Sequence, residues 1–79
     1  MGSEWPSLKA RALLRILINL GYEVQRQTGS HRRLVCDRRP PITFAFHDRS
    51  TVSPRAVRVI LVQQAGLSLD EAREVLKDA

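Results

Sequence analysis

The segment Arg26-Gln27-Thr28-Gly29-Ser30-His31-Arg32-Arg33 holds the residue types best suited to chemistry in this chain. A glycine–serine turn delivers His31 to the first position of a strand, with Arg26 before it and Arg32 and Arg33 after it. Imidazole ordinarily titrates near pH 6.5, so it can take or give a proton at neutrality. Cleavage of RNA by its own 2′-hydroxyl needs a base for that hydroxyl, an acid for the leaving oxygen and cations on the phosphorane. Five arginines and a single acid, Asp37, lie between Arg26 and Arg39. Arg26, Arg32, Arg33, Arg38 and Arg39 are therefore the candidates for holding phosphate, because the planar guanidinium fork matches phosphate oxygens. The same residues also suit an RNA-binding surface with an idle histidine. A histidine at a strand start is, besides, more often a plain exposed polar residue.

Other reactive side chains carry weaker signals. His47 ends the third strand on the face opposite Phe44 and Phe46, where three roles stay open: a second proton-transfer group, an RNA phosphate contact, or a structural strand end. Lys9 is a further candidate RNA contact, set against the ordinary role of a solvated lysine. Two histidines, one cysteine and scattered acids show no zinc-site spacing, so no metal is expected, and no small-molecule cofactor. Cys36, in mid-strand, reads as a small core residue rather than a nucleophile. Trp5 either stacks on a base or covers the end of the first helix.

The elements that must position these residues follow from periodicity and capping. Pro6-Ser7 opens a helix with Ser7 as its N-cap, and Ala10, Leu13, Leu14, Leu17 and Leu20 fall on one face opposite Arg11 and Arg15. Gly21 stops it. Tyr22–Gln27 is a strand with Tyr22 and Val24 on one face, Thr28-Gly29-Ser30 is a turn, and His31–Cys36 is a second strand. Asp37–Pro41 forms a rigid hairpin connection, and in residues 42–47 the alternation of Ile42, Phe44 and Phe46 marks a third strand facing the core. After a polar loop over 48–51, Ser53 caps a helix with Pro54 at its first position. Val57, Ile60, Leu61 and Ala65 form its buried stripe, and Gly66 ends it. Val59 and Val62, on its far side, are covered by the last helix or mark a partner surface. Ser68-Leu69-Asp70-Glu71 is a capping box for that last short helix. The reading is an α+β fold: a three-stranded antiparallel sheet in α-β-β-β-α order, with an extra short C-terminal helix.

Size and charge bound what such a fold can do. Seventy-nine residues make one domain, 1–79, too small for a separate cofactor domain. Lys and Arg total 13 against 8 Asp and Glu, and 11 of the 13 are arginine, which points to a polyanionic partner or a solvated face. No apolar run approaches the roughly 18 residues of a membrane span, and Met1–Pro6 carries no signal-peptide pattern. A lone cysteine suits a reducing compartment. The expectation is a cytoplasmic domain with no membrane partner.

The α-β-β-β-α order with a basic surface is also the layout of double-stranded RNA-binding domains, an analogy at fold level only. A closer resemblance lies in Lys9…Leu13…Leu17…Gly21-Tyr22, then Arg26-Gln27-Thr28-Gly29-Ser30-His31, then Phe46-His47, then Ile60-Leu61-Val62-Gln63-Gln64-Ala65-Gly66-Leu67-Ser68. In these positions the chain resembles the HicA (YcfA-like) toxins of bacterial and archaeal toxin–antitoxin pairs. The likeness runs from about Leu8 to Leu76, and Arg-x-x-Gly-Ser-His is its most specific part. It implies a fold like a double-stranded RNA-binding domain and endoribonuclease (mRNA interferase) action on messenger RNA. It also implies neutralisation by a HicB-type antitoxin protein and a catalytic role for His31. The chain departs from the family over Asp48–Ala56, where equivalent cap chemistry preserves the helix start.

Two other readings compete with the nuclease: a non-catalytic RNA-binding module of the same fold, and a small interaction module using Val59 and Val62. A helix-turn-helix around Ala65–Ser68 is disfavoured, since its second helix carries Asp70, Glu71, Glu74 and Asp78 against Arg73 and Lys77.

Overall fold

The computed structural model describes residues 5–77. In chain order its elements are β1 (Leu8–Lys9), α1 (Ala10–Asn19), β2 (Glu23–Thr28), β3 (His31–Cys36), β4 (Arg39–Ala45), β5 (Thr51–Val52), α2 (Pro54–Arg58), a π-helical stretch (Val59–Gln64) and α3 (Leu69–Leu76). Strands β2, β3 and β4 form an antiparallel sheet in that order, and β1 pairs separately with β5. The α+β architecture expected from the sequence is the one observed. Asp78, counted above with the last helix, lies outside the described residues.

One face of the sheet builds the core. Leu34, Ile42 and Phe44 are buried there, in one cluster with Leu13 and Leu17 of α1 and Val57, Ile60 and Leu61 of the second helical segment. Phe46, expected in the core, is half-buried at the end of the same face. The opposite face of the sheet carries Arg26, Thr28, His31, Arg33 and Thr43, all exposed.

Several local expectations are corrected. Ser7 does not cap α1: Lys9 takes the N-cap position and makes no side-chain cap bond. The first helical N–H groups are satisfied across the fold instead, Ala10 N–H donating to Ser50 O at 2.8 Å and Arg11 N–H to Asp48 O at 3.3 Å. Thr51 is not loop but pairs as a strand with Lys9. Tyr22 and Val24 do not share one environment: Tyr22 is buried, while Val24, next to a bulge on edge strand β2, stays 43% exposed. Arg39, Pro40 and Pro41 belong to β4, and the hairpin turn contracts to Asp37-Arg38. Prolines are tolerated there because β4 is an edge strand, and the register shifts between Leu34 and Cys36.

Other local signals hold. Gly21 stops α1 with a φ of +110°. Ser53 Oγ accepts from Ala56 N–H, and Pro54 opens α2. Ser68 and Glu71 form the reciprocal capping box, at 2.8 Å and 3.1 Å. The helix begun at Pro54 then widens, its Ala65 N–H reaching back five residues to Ile60 O at 2.8 Å. This widened stretch packs on β4 and meets α3, which leaves Val59 and Val62 half-buried, Val62 against the core. Trp5 also packs against the core cluster.

Candidate active site

The β2–β3 hairpin places the histidine. Its turn is the residue pair Gly29-Ser30, and Gly29 has a φ of +60° while Ser30 does not have a positive φ. That is the pattern of the tight hairpin turns that match strand twist, with glycine at the first central position. A Cβ at Gly29 would meet nothing within 4 Å, so conformation rather than space requires glycine. Gln27 Nε2 donates to Gly29 O at 3.2 Å and ties the turn to its own strand.

Register then decides which side chains surround His31. Thr28, His31 and Ala45 are partners across the three strands, and Arg26, Arg33 and Thr43 are partners in the next row. Residues directly opposite in a sheet share a face, so His31, Arg26 and Arg33 stand together on the outer face. A shallow depression lined by Arg26, Thr28, His31, Arg32, Arg33 and Thr43 runs between them. Arg26 and Arg33 are directly opposed like charges, an arrangement that costs the sheet stability. Neither makes an ion pair or side-chain hydrogen bond among the described residues.

The other basic residues engage their head groups elsewhere, Arg32 included although it borders that depression. Arg32 points to the core side, in the row of Phe44, and its Nη2 pairs with Asp48 Oδ1 at 3.0 Å. Its side chain is 13% exposed, and its Nη1 is buried with no partner. Arg38 lies in the turn past the other end of β3, and Arg39 is the β4 partner of its last residue, Cys36. Five residue steps from His31 to Cys36 put that end about 17 Å away at roughly 3.3 Å per residue. Arg39 Nη1 donates to Ala65 O at 3.3 Å, closing the end of the widened helix. A cleft of about 490 Å³ lies at that end, lined in part by Gly21, Cys36, Arg38 and Arg39. Lys9 Nζ donates to Arg49 O at 3.4 Å and Thr51 Oγ1 at 3.3 Å, bracing the 48–50 loop and the start of β5.

His47 lies at the same end of the sheet as the Gly29-Ser30 turn, lining a separate cleft with Ser30, Phe46 and Asp48. It is exposed, and its carbonyl accepts from Ser50 N–H at 2.9 Å. Phe46 and Asp48, which line that cleft, were not singled out as site residues from the sequence. Only strand register brings them beside the turn. Burial pushes the Tyr22 phenol up, helped by Cys36 and opposed by Arg39, while its hydroxyl donates to Pro40 O at 2.8 Å. Among the described residues, no three His, Cys, Asp or Glu side chains cluster as a metal site would need. No helix among them is long and apolar enough to cross a membrane.

Comparison with known proteins returns one family. Its model, described as the HicA toxin of bacterial toxin–antitoxin systems, matches residues 10–67. No curated protein and no solved structure matches the chain.

Proposed function

Because the chain belongs to the HicA toxin family of bacterial toxin–antitoxin systems, we propose that it is an endoribonuclease that cleaves messenger RNA with His31 as its general acid/base. The observation that carries this reading is the outer-face constellation. His31 stands one row from Arg26 and Arg33, two opposed guanidiniums with no ion-pair partner among the described residues. A phosphate seated there relieves their repulsion and brings its ester beside the imidazole. His31 takes the proton of the 2′-hydroxyl, the 2′-oxygen bonds to phosphorus, and the bond to the 5′-oxygen breaks. That leaving oxygen takes up a proton from solvent. The products are a 2′,3′-cyclic phosphate and a 5′-hydroxyl, and the two arginines stabilise the charge that builds on the phosphorane.

In this reading Gly29 and Ser30 place the histidine, and the reaction needs no metal or small-molecule cofactor. Arg32, Arg38 and Arg39 support the fold or meet RNA away from the scissile bond, and His47 and Lys9 lie along its flank. The partner implied by family membership is an antitoxin, proposed here to be a HicB-type protein acting in the cytoplasm.

The test compares the wild-type chain with His31→Ala on a structured RNA in the presence of EDTA. Cleavage by the wild type alone, with cyclic-phosphate ends, is the expected result. Cleavage by both would move the chemistry away from His31. Binding by both without cleavage would leave an RNA-binding module.

A further inference from the structure

The cleft on the flank of the Gly29-Ser30 turn offers chemistry that phosphate binding does not use. It is open, about 350 Å³ in volume, and lined by Gly29, Ser30, Arg32, Phe46, His47, Asp48 and Arg49. A pocket of this size is within the range that small ligands occupy. The Phe46 ring is half-buried and held edge-on against Phe44, with centroids 5.2 Å apart and planes at 65°. It is therefore a fixed aromatic surface beside the turn.

The polar edge of the cleft is Asp48. Its Oδ1 accepts from Arg32 Nη2 at 3.0 Å, its side chain is 54% exposed, and its Oδ2 has no partner among the described residues. Arg32, mostly buried, sets the orientation of that carboxylate through this bond. An ionised carboxylate can only accept hydrogen bonds. An aromatic surface next to an oriented acceptor suits a flat ligand that sets two donors side by side on its edge. Single-stranded RNA bases are recognised by this combination of stacking and Watson–Crick-edge hydrogen bonds. Among the four bases, guanine alone presents two adjacent N–H donors there. Adenine and cytosine set a ring-nitrogen lone pair beside their amino group, and uracil flanks its N–H with carbonyls.

We propose that this cleft is a base subsite selecting guanine at a nucleotide adjoining the scissile phosphate. Phe46 stacks the base, Asp48 accepts its two N–H groups, and Arg49 faces the backbone. The adjacency rests on the nuclease reading of His31, since the turn that presents His31 also forms one wall of the cleft.

The experiment is an amide chemical-shift titration of the wild-type chain with the 3′-monophosphates of guanosine, adenosine, cytidine and uridine. Guanosine 3′-monophosphate is expected to shift Gly29, Ser30, Phe46 and His47 with about tenfold higher affinity than the others, the low end for a bidentate base contact. Asp48→Asn keeps a carbonyl for Arg32 but turns the free oxygen into a donor, and should abolish that preference. Phe46→Leu should weaken all four nucleotides while preserving their order. Equal affinities for the wild type, or a guanine preference that survives Asp48→Asn, overturns the subsite. The wild-type ranking decides the matter even if a variant unfolds. The titration is independent of cleavage, so wild-type protein that leaves RNA intact overturns the nuclease reading alone.

Discussion

Replacing Arg33 with glutamine, in a His31→Ala background that leaves RNA whole, isolates the electrostatic half of the proposed site. Each phosphate contact to single-stranded nucleic acid contributes about 0.7 to the slope of log affinity against log salt concentration. Arg26 and Arg33 are the two guanidiniums beside His31 on the outer face, so together they account for a slope of about 1.4. Removing Arg33 should make the slope shallower by about 0.7, so that going from about 50 to about 200 mM salt costs the parent roughly 2.6-fold more affinity than the variant. Arg38→Gln is the control. Arg38 is exposed in the far turn, about 17 Å from His31 along β3 and beyond the Debye length of about 8 Å at physiological salt. With an RNA short enough to span only the His31 face, its loss should leave the slope unchanged. Fluorescence anisotropy of a short labelled RNA over a salt series reads both. Because Arg33 directly opposes Arg26, its loss should not lower the melting temperature, which separates lost binding from lost folding. Equal slopes for Arg33→Gln and its parent, or equal changes for Arg33→Gln and Arg38→Gln, would refute the placement of phosphate on this face.

Four predictions concern the scaffold. Leu34→Ala removes a fully buried side chain from the central strand. It should cost about 2–5 kcal/mol, a large share of what so small a core supplies, and denaturant titration should find the chain largely unfolded. Ser68→Ala should cost about 1 kcal/mol by deleting the α3 cap, read from the same titration. Hydrogen bonds from Ser68 hold the Glu71 carboxyl below its ordinary range. The stability that Glu71 adds is therefore present above the ordinary glutamate range and lost as pH falls through its lowered one. Wild type should lose more melting temperature on acidification than Glu71→Gln does. Tyr22→Phe deletes the bond to Pro40 O at a cost of about 1 kcal/mol. Since the folded-state phenol titrates above its ordinary value, wild-type stability should fall as pH rises through that raised range, and the variant should lack this alkaline step.

How much was legible in the sequence differs from element to element. The Ser53-Pro54 and Ser68–Glu71 starts, the Gly21 stop and the β2–β3 turn were readable because each is a local contract between a side chain or a φ angle and the nearest backbone. The start of α1 was not, because its orphan N–H groups are met by Asp48 and Ser50, about forty positions away in the chain. The π-helical widening was not legible either. Its apolar positions satisfy an ordinary helical stripe equally well, and only packing on β4 distinguishes the two.

The candidate site divides along the same line. Composition and the motif around His31 determined by themselves that this chain carries an arginine-rich surface, a histidine presented by a glycine–serine turn, and an α+β frame to hold it. Those are properties of residue type and short spacing. Tertiary structure alone decided which arginines accompany the histidine. Alternation along β3 sends Arg33 to the open face and Arg32 to the inner one, against Asp48. The length of that strand carries Arg38 and Arg39 to its far end, and the register of β4 brings Phe46 and Asp48 to the turn. A strand separates neighbours in sequence to opposite faces and joins residues distant in sequence on one face. The membership of the site is therefore a property of register, which no single segment contains.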